Sequence, residues 1–200
     1  MASSKPRIVI VGGNFAGLVA ASRLSRRYDV AVIDPNPDFE WTPNIHEILS
    51  GVKTRDSVVL SREACVTRYG HEFIRDEVTH IDHVSDTVST RTGLVLPFDA
   101  CIICAGSQRT SFGVPGADEH STGLRSADDA VHISAELDKL ARRKRRASVV
   151  IAGGGVSGIE AVGEIIRSRS LDEQFDVHVV ERASRVLPQQ PEAASRDAAR

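Results

Sequence analysis

Two glycine-rich segments of the chain have the residue types and the spacing that bind a dinucleotide. The second segment follows the pattern G-x-G-x-x-G in full, with Gly153, Gly155 and Gly158 at the glycine positions and Val156 and Ser157 between the last two. The first glycine of such a pattern permits a tight turn, the second lets the backbone approach a pyrophosphate, and the third lets helix and strand pack closely. The N-terminus of the following helix then faces the anion.

The first glycine-rich segment departs from this pattern at one position. It consists of Gly12, Gly13, Asn14, Phe15, Ala16 and Gly17. Gly12 and Gly17 take the outer positions, and Asn14 takes the middle one. Asparagine tolerates a positive φ better than most residues do, so we expect the turn to survive. The Asn14 side chain would then stand close to the bound phosphates, unless Gly13 carries the close approach.

A carboxylate follows each glycine segment at the end of the next apolar run. Asp34 lies 22 residues after Gly12, and Glu181 follows the run that ends at Val180. A carboxylate at this place accepts hydrogen bonds from ribose hydroxyls. Glu181 would also repel a 2′-phosphate, which favours NADH over NADPH, although Arg182 directly after it leaves NADPH open.

Apolar runs and helical patterns around these segments predict the same strand, turn, helix and strand twice. The predicted strands are 8–11, 30–33, 148–152 and 176–180, and the predicted helices are 18–27 and 159–167. A βαβ unit that occurs twice is an internal repeat. The sequence therefore predicts an α/β protein with tandem Rossmann-like nucleotide-binding domains.

The segment between the two repeats predicts smaller elements. These are a helix over 44–50 that ends at Gly51, short antiparallel strands within 72–92, a buried strand over 99–105, and a helix over 126–140. We place the domain boundary near Gly116. The first domain is then 1–116, with a small β-meander at about 70–97, and the second domain is 117–200.

The second domain is expected to be incomplete. Only 52 residues run from Val149 to Arg200, whereas one βαβ unit takes about 30 and a dinucleotide domain has further strands. A helical pattern also starts at Glu192 and reaches the last residue. We therefore expect the chain to be the N-terminal part of a longer enzyme.

Composition excludes several classes of protein. The 200 residues carry 25 Lys and Arg against 27 Asp and Glu, and the pI is about 6.4. Positive and negative charges are too evenly balanced for a dedicated nucleic-acid binder. Apolar runs are far shorter than the roughly 20 residues of a membrane span. No secretory leader is recognisable, and three cysteines do not make a disulfide framework. A cytoplasmic protein is expected.

Other residues that could do chemistry have plainer interpretations. Cys101 and Cys104 lie three apart on a predicted strand, so their side chains should point to opposite faces and neither pair nor share a metal. The same holds for His80 and His83, and no metal site is expected. The basic run 142–146 is typical of a solvated helix end, with anionic lipid or nucleic acid as the alternative. No nucleophile turn supports hydrolysis.

With two nucleotide motifs in tandem, the sequence resembles the pyridine-nucleotide oxidoreductases that pair FAD with NAD(P)H in two dinucleotide-binding domains. Residues 98–107 are similar to the family's strand that ends in Ala-Thr-Gly, and 114–116 match the segment after it. The resemblance implies that Ala105 and Gly106 lie at the FAD site. It also implies that the backbone of Val78 meets the adenine.

Within the family, two further segments resemble type II NADH dehydrogenases. Trp41-Thr42-Pro43 and the residues up to Gly51 are similar to the segment that lies against the isoalloxazine, which implies contacts from Thr42 and Pro43. The run 153–164 is similar to the NADH motif, in which Glu160 lies near the nicotinamide. Disulfide reductases and sulfide:quinone reductases are disfavoured, because 18–64 and 156–164 contain no cysteine.

The resemblance implies an FAD-dependent NADH dehydrogenase with a quinone as acceptor. NADH would dock at 153–158, transfer hydride to the flavin held at 12–17, and leave before the acceptor takes the electrons. Two alternatives stay open: a soluble flavoprotein reductase with ferredoxin or another protein as acceptor, and a non-catalytic nucleotide-binding fragment. Peripheral contact with the cytoplasmic membrane through a further C-terminal region, and a homodimer, are also left open.

Overall fold

The computed structural model describes residues 5–108, 110–143, 145–168 and 175–198. These residues form two compact units that interleave along the chain. The first unit comprises residues up to 40 together with 59–110, and the second comprises 41–58 together with 111 onwards. Lys144 of the basic run, and Ala199 and Arg200 of the predicted last helix, lie outside the described residues.

Strands and helices are interspersed along the chain. The strands are β1 (Arg7–Val11), β2 (Asp29–Ile33), β3 (Asp38–Glu40), β4 (Val59–Ser61), β5 (Glu72–Ile74), β6 (Val78–Asp82), β7 (Thr87–Thr90), β8 (Val95–Pro97), β9 (Ala100–Ile103), β10 (Ala147–Ala152) and β11 (Phe175–Val180). The helices are α1 (Phe15–Arg23), a 3₁₀ helix (Thr42–Ile48), α2 (Arg55–Val58), α3 (Arg62–Thr67), α4 (Ala117–His120), α5 (Ala127–Ala141), α6 (Val156–Ser168) and α7 (Glu192–Ala198).

The first unit is built on a four-stranded parallel sheet in the order β5-β2-β1-β9. Val11 at the end of β1 pairs with Ile33 on one side and with Ile103 on the other. Parallel strands bring their carboxyl ends to one edge of the sheet, so the residues that follow β1, β2 and β9 meet there. Gly12, Asp34 and the segment after Ile103 occupy this edge.

Both faces of this sheet are covered, which agrees with the apolar residues at successive positions of its strands. Ile10 and Val32 lie in a cluster with Ala21 of α1 and Val66 of α3. On the other face, Val9, Val11 and Ile33 pack against Val88 of the antiparallel meander β6-β7-β8. A shorter antiparallel pair, β3 and β4, also belongs to the first unit.

The second unit contains the parallel pair β10 and β11, in register from Ala147 opposite Phe175 to Ala152 opposite Val180. One face of the pair packs on α5 and α6 through Phe175, Leu137 and Ile165. Ser126 precedes α5 and caps its N-terminus, and its side chain and that of Asp129 form a capping box. On the opposite face of the pair, the side chains of Val150 and Val180 are exposed.

The predicted fold class and internal repeat are confirmed, and several elements differ in detail. Glu72–Ile74 is a parallel strand of the main sheet rather than part of an antiparallel set. Phe73 packs on one face of the sheet and Ile74 on the other, and burial on both faces is typical of a strand in a parallel sheet. The antiparallel prediction holds for β6 to β8. The predicted helix over 44–50 is a 3₁₀ helix that starts at Thr42, with Pro43 in its first turn, where proline is favoured.

Element ends also differ from the predicted bounds. Helix α1 starts at Phe15 and ends at Arg23, because Leu24 is extended, whereas the pattern predicted 18–27. The predicted strand over 99–105 is shorter, since the chain leaves the sheet after Ile103. Helix α6 starts at Val156, directly after the glycine turn. Within the described ranges, no helix combines the length and apolar character needed to cross a membrane.

Candidate functional site

The two glycine turns have the same backbone geometry. Gly12 follows β1 with a φ of +95°, and Gly153 follows β10 with a φ of +114°. Each backbone N–H donates to the last carbonyl of the neighbouring strand, Gly12 to Ile33 at 2.8 Å and Gly153 to Val180 at 2.8 Å. Residues other than glycine rarely adopt a φ in this range, so each turn needs glycine at its first position.

The third glycine of each motif allows the helix to pack against the turn. A Cβ atom at Gly17 would lie 1.9 Å from the carbonyl oxygen of Gly12, and a Cβ at Gly158 would lie 2.0 Å from that of Gly153. No side chain fits at these distances. The first turns of α1 and α6 are thereby held beside the turns, where their N–H groups and helix dipoles face outward from the sheet edge.

The middle position is where the two motifs differ. A Cβ at Gly155 would meet no atom within 4 Å, so its backbone faces open space that a pyrophosphate could enter. Asn14 is exposed and extended, with a φ of −92°, and therefore does not need the positive φ that asparagine tolerates. Gly13 does not carry the close approach, because it is buried and its missing Cβ would lie 2.8 Å from Cδ of Arg62.

Both carboxylates predicted to bind ribose lie at the glycine turns. Oδ2 of Asp34 accepts a hydrogen bond from the N–H of Gly13 at 2.8 Å, and Oε2 of Glu181 accepts one from the N–H of Gly154 at 2.7 Å. The other oxygen of Glu181 accepts from the N–H of Ala183 at 2.8 Å. The hydrogen bonds from Ala183 and Gly154 hold the pKa of Glu181 below its usual value, so this carboxylate is anionic at neutral pH.

Arg62 was not singled out in the sequence, yet it belongs to the first site. Its Nη1 lies 2.5 Å from Oδ2 of Asp34, and its Nη2 donates to the carbonyl of Asp38. The side chain is buried, and burial lowers the pKa of the guanidinium while the Asp34 carboxylate acts in the opposite direction. An arginine is usually exposed, and no periodicity marks this one, so the sequence offers no signal for its burial.

The remaining candidates of the first unit lie around the same sheet edge. The carbonyl oxygen of Cys104 lies against Gly12, and a Cβ at Gly12 would lie only 2.3 Å from this oxygen. Ala105 and Gly106 follow as exposed residues. The other three candidates are Val78 at the start of β6 in the meander, Phe15 with its ring centroid 5.1 Å from that of Phe39, and Ala16 on the exposed side of α1.

In the second unit, the structure brings Glu160 together with the segment that contains Thr42 and Pro43. Oε2 of Glu160 lies 3.6 Å from Nδ1 of His46, which is on the 3₁₀ helix that Thr42 begins. Val156 and Ser157 form the first turn of α6, which also carries Glu160. The nucleotide-motif helix and the predicted flavin segment are therefore in direct contact.

A second contact between these segments lies one helical turn further along α6. Glu164 is buried and accepts hydrogen bonds from Oγ of Ser50 and from Nη2 of Arg167, the latter at 2.5 Å. This pair was also missed in the sequence. Part of a signal was present, since Glu160 and Glu164 are four residues apart in a predicted helix, a spacing that aligns side chains on one face of an α-helix.

The prediction that Cys101 and Cys104 lie on opposite faces of the sheet is confirmed. Cys101 packs on the meander side of the sheet and Cys104 on the helix side, so the two sulfurs lie on opposite faces. His80 lies on β6, but the strand ends at Asp82, so the prediction that His83 shares it is wrong. Both histidines are exposed. No cluster of metal-ligating side chains occurs among the described residues. Helix α5 ends at Ala141, and the basic residues described after it are exposed.

Sequence comparison identifies relatives over most of the chain. The family model of the pyridine nucleotide-disulphide oxidoreductases matches residues 6–200. The chain is 27% identical over 175 residues to the type II NADH:quinone oxidoreductase NdhA of Mycobacterium tuberculosis, covering 80% of this chain and 37% of that protein. It is 26% identical over 204 residues to the demethylphylloquinone reductase NdbB of Synechocystis, covering 96% and 50%.

Solved structures with the same fold agree. NDH2 of Plasmodium falciparum in complex with NADH superposes with a TM-score of 0.82 at 20% identity, covering 96% of this chain and 45% of that one. The putidaredoxin reductase–putidaredoxin complex gives a TM-score of 0.75 at 21% identity, covering 98% and 49%. The chain thus spans half or less of the length of these relatives. From its repeated glycine turns and the family match over 6–200, the chain belongs to the pyridine nucleotide-disulphide oxidoreductase family.

Proposed function

We propose that the protein is an FAD-dependent NADH dehydrogenase that passes electrons to a quinone. The observation that carries the proposal is the duplicated site: each unit has a glycine turn, a helix N-terminus and a carboxylate hydrogen-bonded to the turn. One such site binds one dinucleotide. Two sites of the same design fit a reaction between two dinucleotides.

FAD is assigned to the first site. Gly12, Gly17 and the first turn of α1 would hold the pyrophosphate, and Asp34 would hold the ribose of the adenosine. Ala105, Gly106 and Val78 would line the same site. When bound, the flavin supplies the chemistry of hydride acceptance and onward electron transfer. The protein residues bind it, orient it and exclude water.

NADH is assigned to the second site. The open backbone at Gly155 leaves room for the pyrophosphate, and the anionic Glu181 can accept hydrogen bonds from both ribose hydroxyls. A 2′-phosphate in place of the 2′-hydroxyl would meet this carboxylate and be repelled. The arrangement supports NADH rather than NADPH as the reductant.

Glu160 is assigned to the nicotinamide end of the second site. It lies on α6, two residues after Gly158 of the glycine motif, and its carboxylate lies beside His46. The 3₁₀ helix that carries His46 begins with Thr42 and Pro43, the residues proposed to contact the flavin. These contacts support a site in which the nicotinamide and flavin segments adjoin.

The acceptor proposed is a quinone. Two relatives are a NADH:quinone oxidoreductase and a demethylphylloquinone reductase. The balanced reaction is NADH, a proton and quinone giving NAD⁺ and quinol. Because respiratory quinones are membrane-dissolved, the proposal includes peripheral contact of the protein with the cytoplasmic membrane. Sedimentation of the protein with and without vesicles tests this contact and also shows whether it is a homodimer.

A comparison of acceptors tests the proposed function. NADH oxidation by the FAD-loaded protein is measured with a water-soluble quinone, with ferredoxin and with oxygen alone. A quinone rate well above the other two is expected. A ferredoxin rate above the quinone rate would instead identify a soluble protein reductase, and equal rates near that of oxygen would refute both acceptors.

A further inference from the structure

Arg62 occupies a place where a charged side chain is costly. It is 3% exposed, and its Nε has no hydrogen-bond partner among the described residues. Burial of an ion pair is often no more stabilising than apolar packing of the same volume. Stability alone therefore does not account for an arginine at this position. Its contacts indicate a role in positioning its neighbours.

Nη2 of Arg62 donates to the carbonyl of Asp38, and Nη1 donates to a carboxylate oxygen of Asp34 that has a second donor. Oδ2 of Asp34 receives Nη1 of Arg62 at 2.5 Å and the N–H of Gly13 at 2.8 Å, while Oδ1 receives the N–H of Asn36 at 2.9 Å. The aliphatic part of Arg62 also fills the space beside Gly13, where a Cβ would lie 2.8 Å from Cδ. Arg62 thus fixes both the carboxylate and the glycine turn before any ligand is bound.

The second repeat provides an internal comparison. Glu181 accepts N–H groups from Gly154 at 2.7 Å and Ala183 at 2.8 Å, and it forms no ion pair with any described side chain. A carboxylate held by a buried cation loses less freedom when a ligand binds than one held by backbone N–H groups alone. Preorganisation of this kind raises affinity by lowering the entropic cost of binding.

We propose that Arg62 is a positioning residue of the first dinucleotide site, which fixes Asp34 in its ribose-binding orientation and makes this site the tighter of the two. The inference rests on the proposed function for the identity of the ligand, FAD. Under the proposed function, a tighter first site would retain FAD while the second site exchanges NADH at each turnover.

Two variants of Arg62 test the inference. Arg62→Gln removes the charge, and Arg62→Lys keeps a charge but loses the planar fork of donors. Two quantities are measured: the chemical shift and hydrogen exchange of the Gly13 amide in the ligand-free protein, and the Kd for FAD from flavin fluorescence. Arg68→Gln, an exposed arginine one residue beyond α3, is the matched control.

In Arg62→Gln we expect faster exchange of the Gly13 amide, an unchanged Gly154 amide, and an FAD affinity about tenfold lower or more, with partial recovery in Arg62→Lys. Asp34→Asn combined with Arg62→Gln should be no weaker than the worse single variant, because both act through one contact. A merely structural role would lower the melting temperature without this selectivity and without recovery by lysine.

The inference is overturned if the Gly13 amide and the FAD affinity of folded Arg62→Gln equal those of the control. It is also overturned if the Gly13 and Gly154 amides change alike. Failure of the proposed function is a separate result: an unmodified protein that retains no FAD would refute the cofactor assignment, while the Gly13 amide of the variants would still decide the positioning role.

Discussion

Ser50 donates a hydrogen bond from Oγ to Oε2 of Glu164, a carboxylate that is only 9% exposed. The contact joins the residues after the 3₁₀ helix to the middle of α6 inside the second unit. Arg167 donates to the same oxygen, so the buried charge has two partners. Because His46 contacts Glu160 one turn earlier, the proposed flavin segment and the NADH-motif helix are joined at two successive turns.

Ser50→Ala should destabilise the protein by about 1–2 kcal/mol, because it removes a donor from a buried carboxylate. Ser22→Ala is the matched control, since Ser22 is exposed and donates only to a carbonyl of its own helix; its effect should stay within about 0.5 kcal/mol. Urea unfolding of both variants measures the difference. Equal midpoints would show that the Ser50 contact contributes nothing.

Gly158→Ala should be strongly destabilising, by about 2 kcal/mol or more, because its Cβ would lie 2.0 Å from the backbone oxygen of Gly153. Gly163→Ala is a control in the same helix, where a Cβ meets no atom within 4 Å. That control should stabilise the protein by up to about 1 kcal/mol, since alanine is the better helix former. Thermal unfolding with opposite signs for the two variants confirms the packing of α6 on its turn.

Glu181→Gln should weaken NADH binding and reduce the discrimination against NADPH by about tenfold, equivalent to about 1.4 kcal/mol. The amide keeps a hydrogen-bonding oxygen for the ribose but loses the charge that repels a 2′-phosphate. Glu192→Gln, an exposed carboxylate of α7, serves as the control. The Kd values of the variant for NADH and NADPH measure this change. An unaltered ratio of the two Kd values would show that Glu181 does not determine the preference for NADH.

The lowered pKa of Glu181 predicts a dependence on acid pH. Because its pKa is lower in the folded protein than in the unfolded chain, the ionised carboxylate contributes stability above the unfolded value, about 4.3. That contribution is lost as the pH falls through the folded pKa. A carboxyl NMR titration should place the midpoint of Glu181 in the folded protein below its midpoint in the unfolded chain. Identical midpoints would contradict the hydrogen bonds from Ala183 and Gly154.

The sequence could predict the parts of the site that depend on local backbone chemistry. Glycine spacing and strand ends placed Gly12, Gly153, Asp34 and Glu181 correctly at their turns, because each position follows from a backbone requirement within one βαβ unit. Strand alternation likewise separated Cys101 from Cys104. These inferences need only neighbours along the chain.

Contacts between distant segments could not be predicted in this way. Nothing in the residues around Arg62 indicates that it is buried against Asp34, since that depends on how α3 packs on the sheet. The same holds for β5, which pairs with β2 across about 40 residues of intervening chain. The grouping of 41–58 with the second unit also arises from tertiary packing, and the boundary at Gly116 remains a proposal.

Visible absorption of the protein after incubation with FAD, desalting and anaerobic addition of NADH tests directly whether NADH reduces a bound flavin. We expect the flavin spectrum to be retained through desalting and NADH to bleach it, with NADPH less effective at the same concentration. A retained flavin that NADH does not bleach would contradict the proposed hydride transfer. Complete loss of flavin on desalting would contradict the assignment of FAD to the first site.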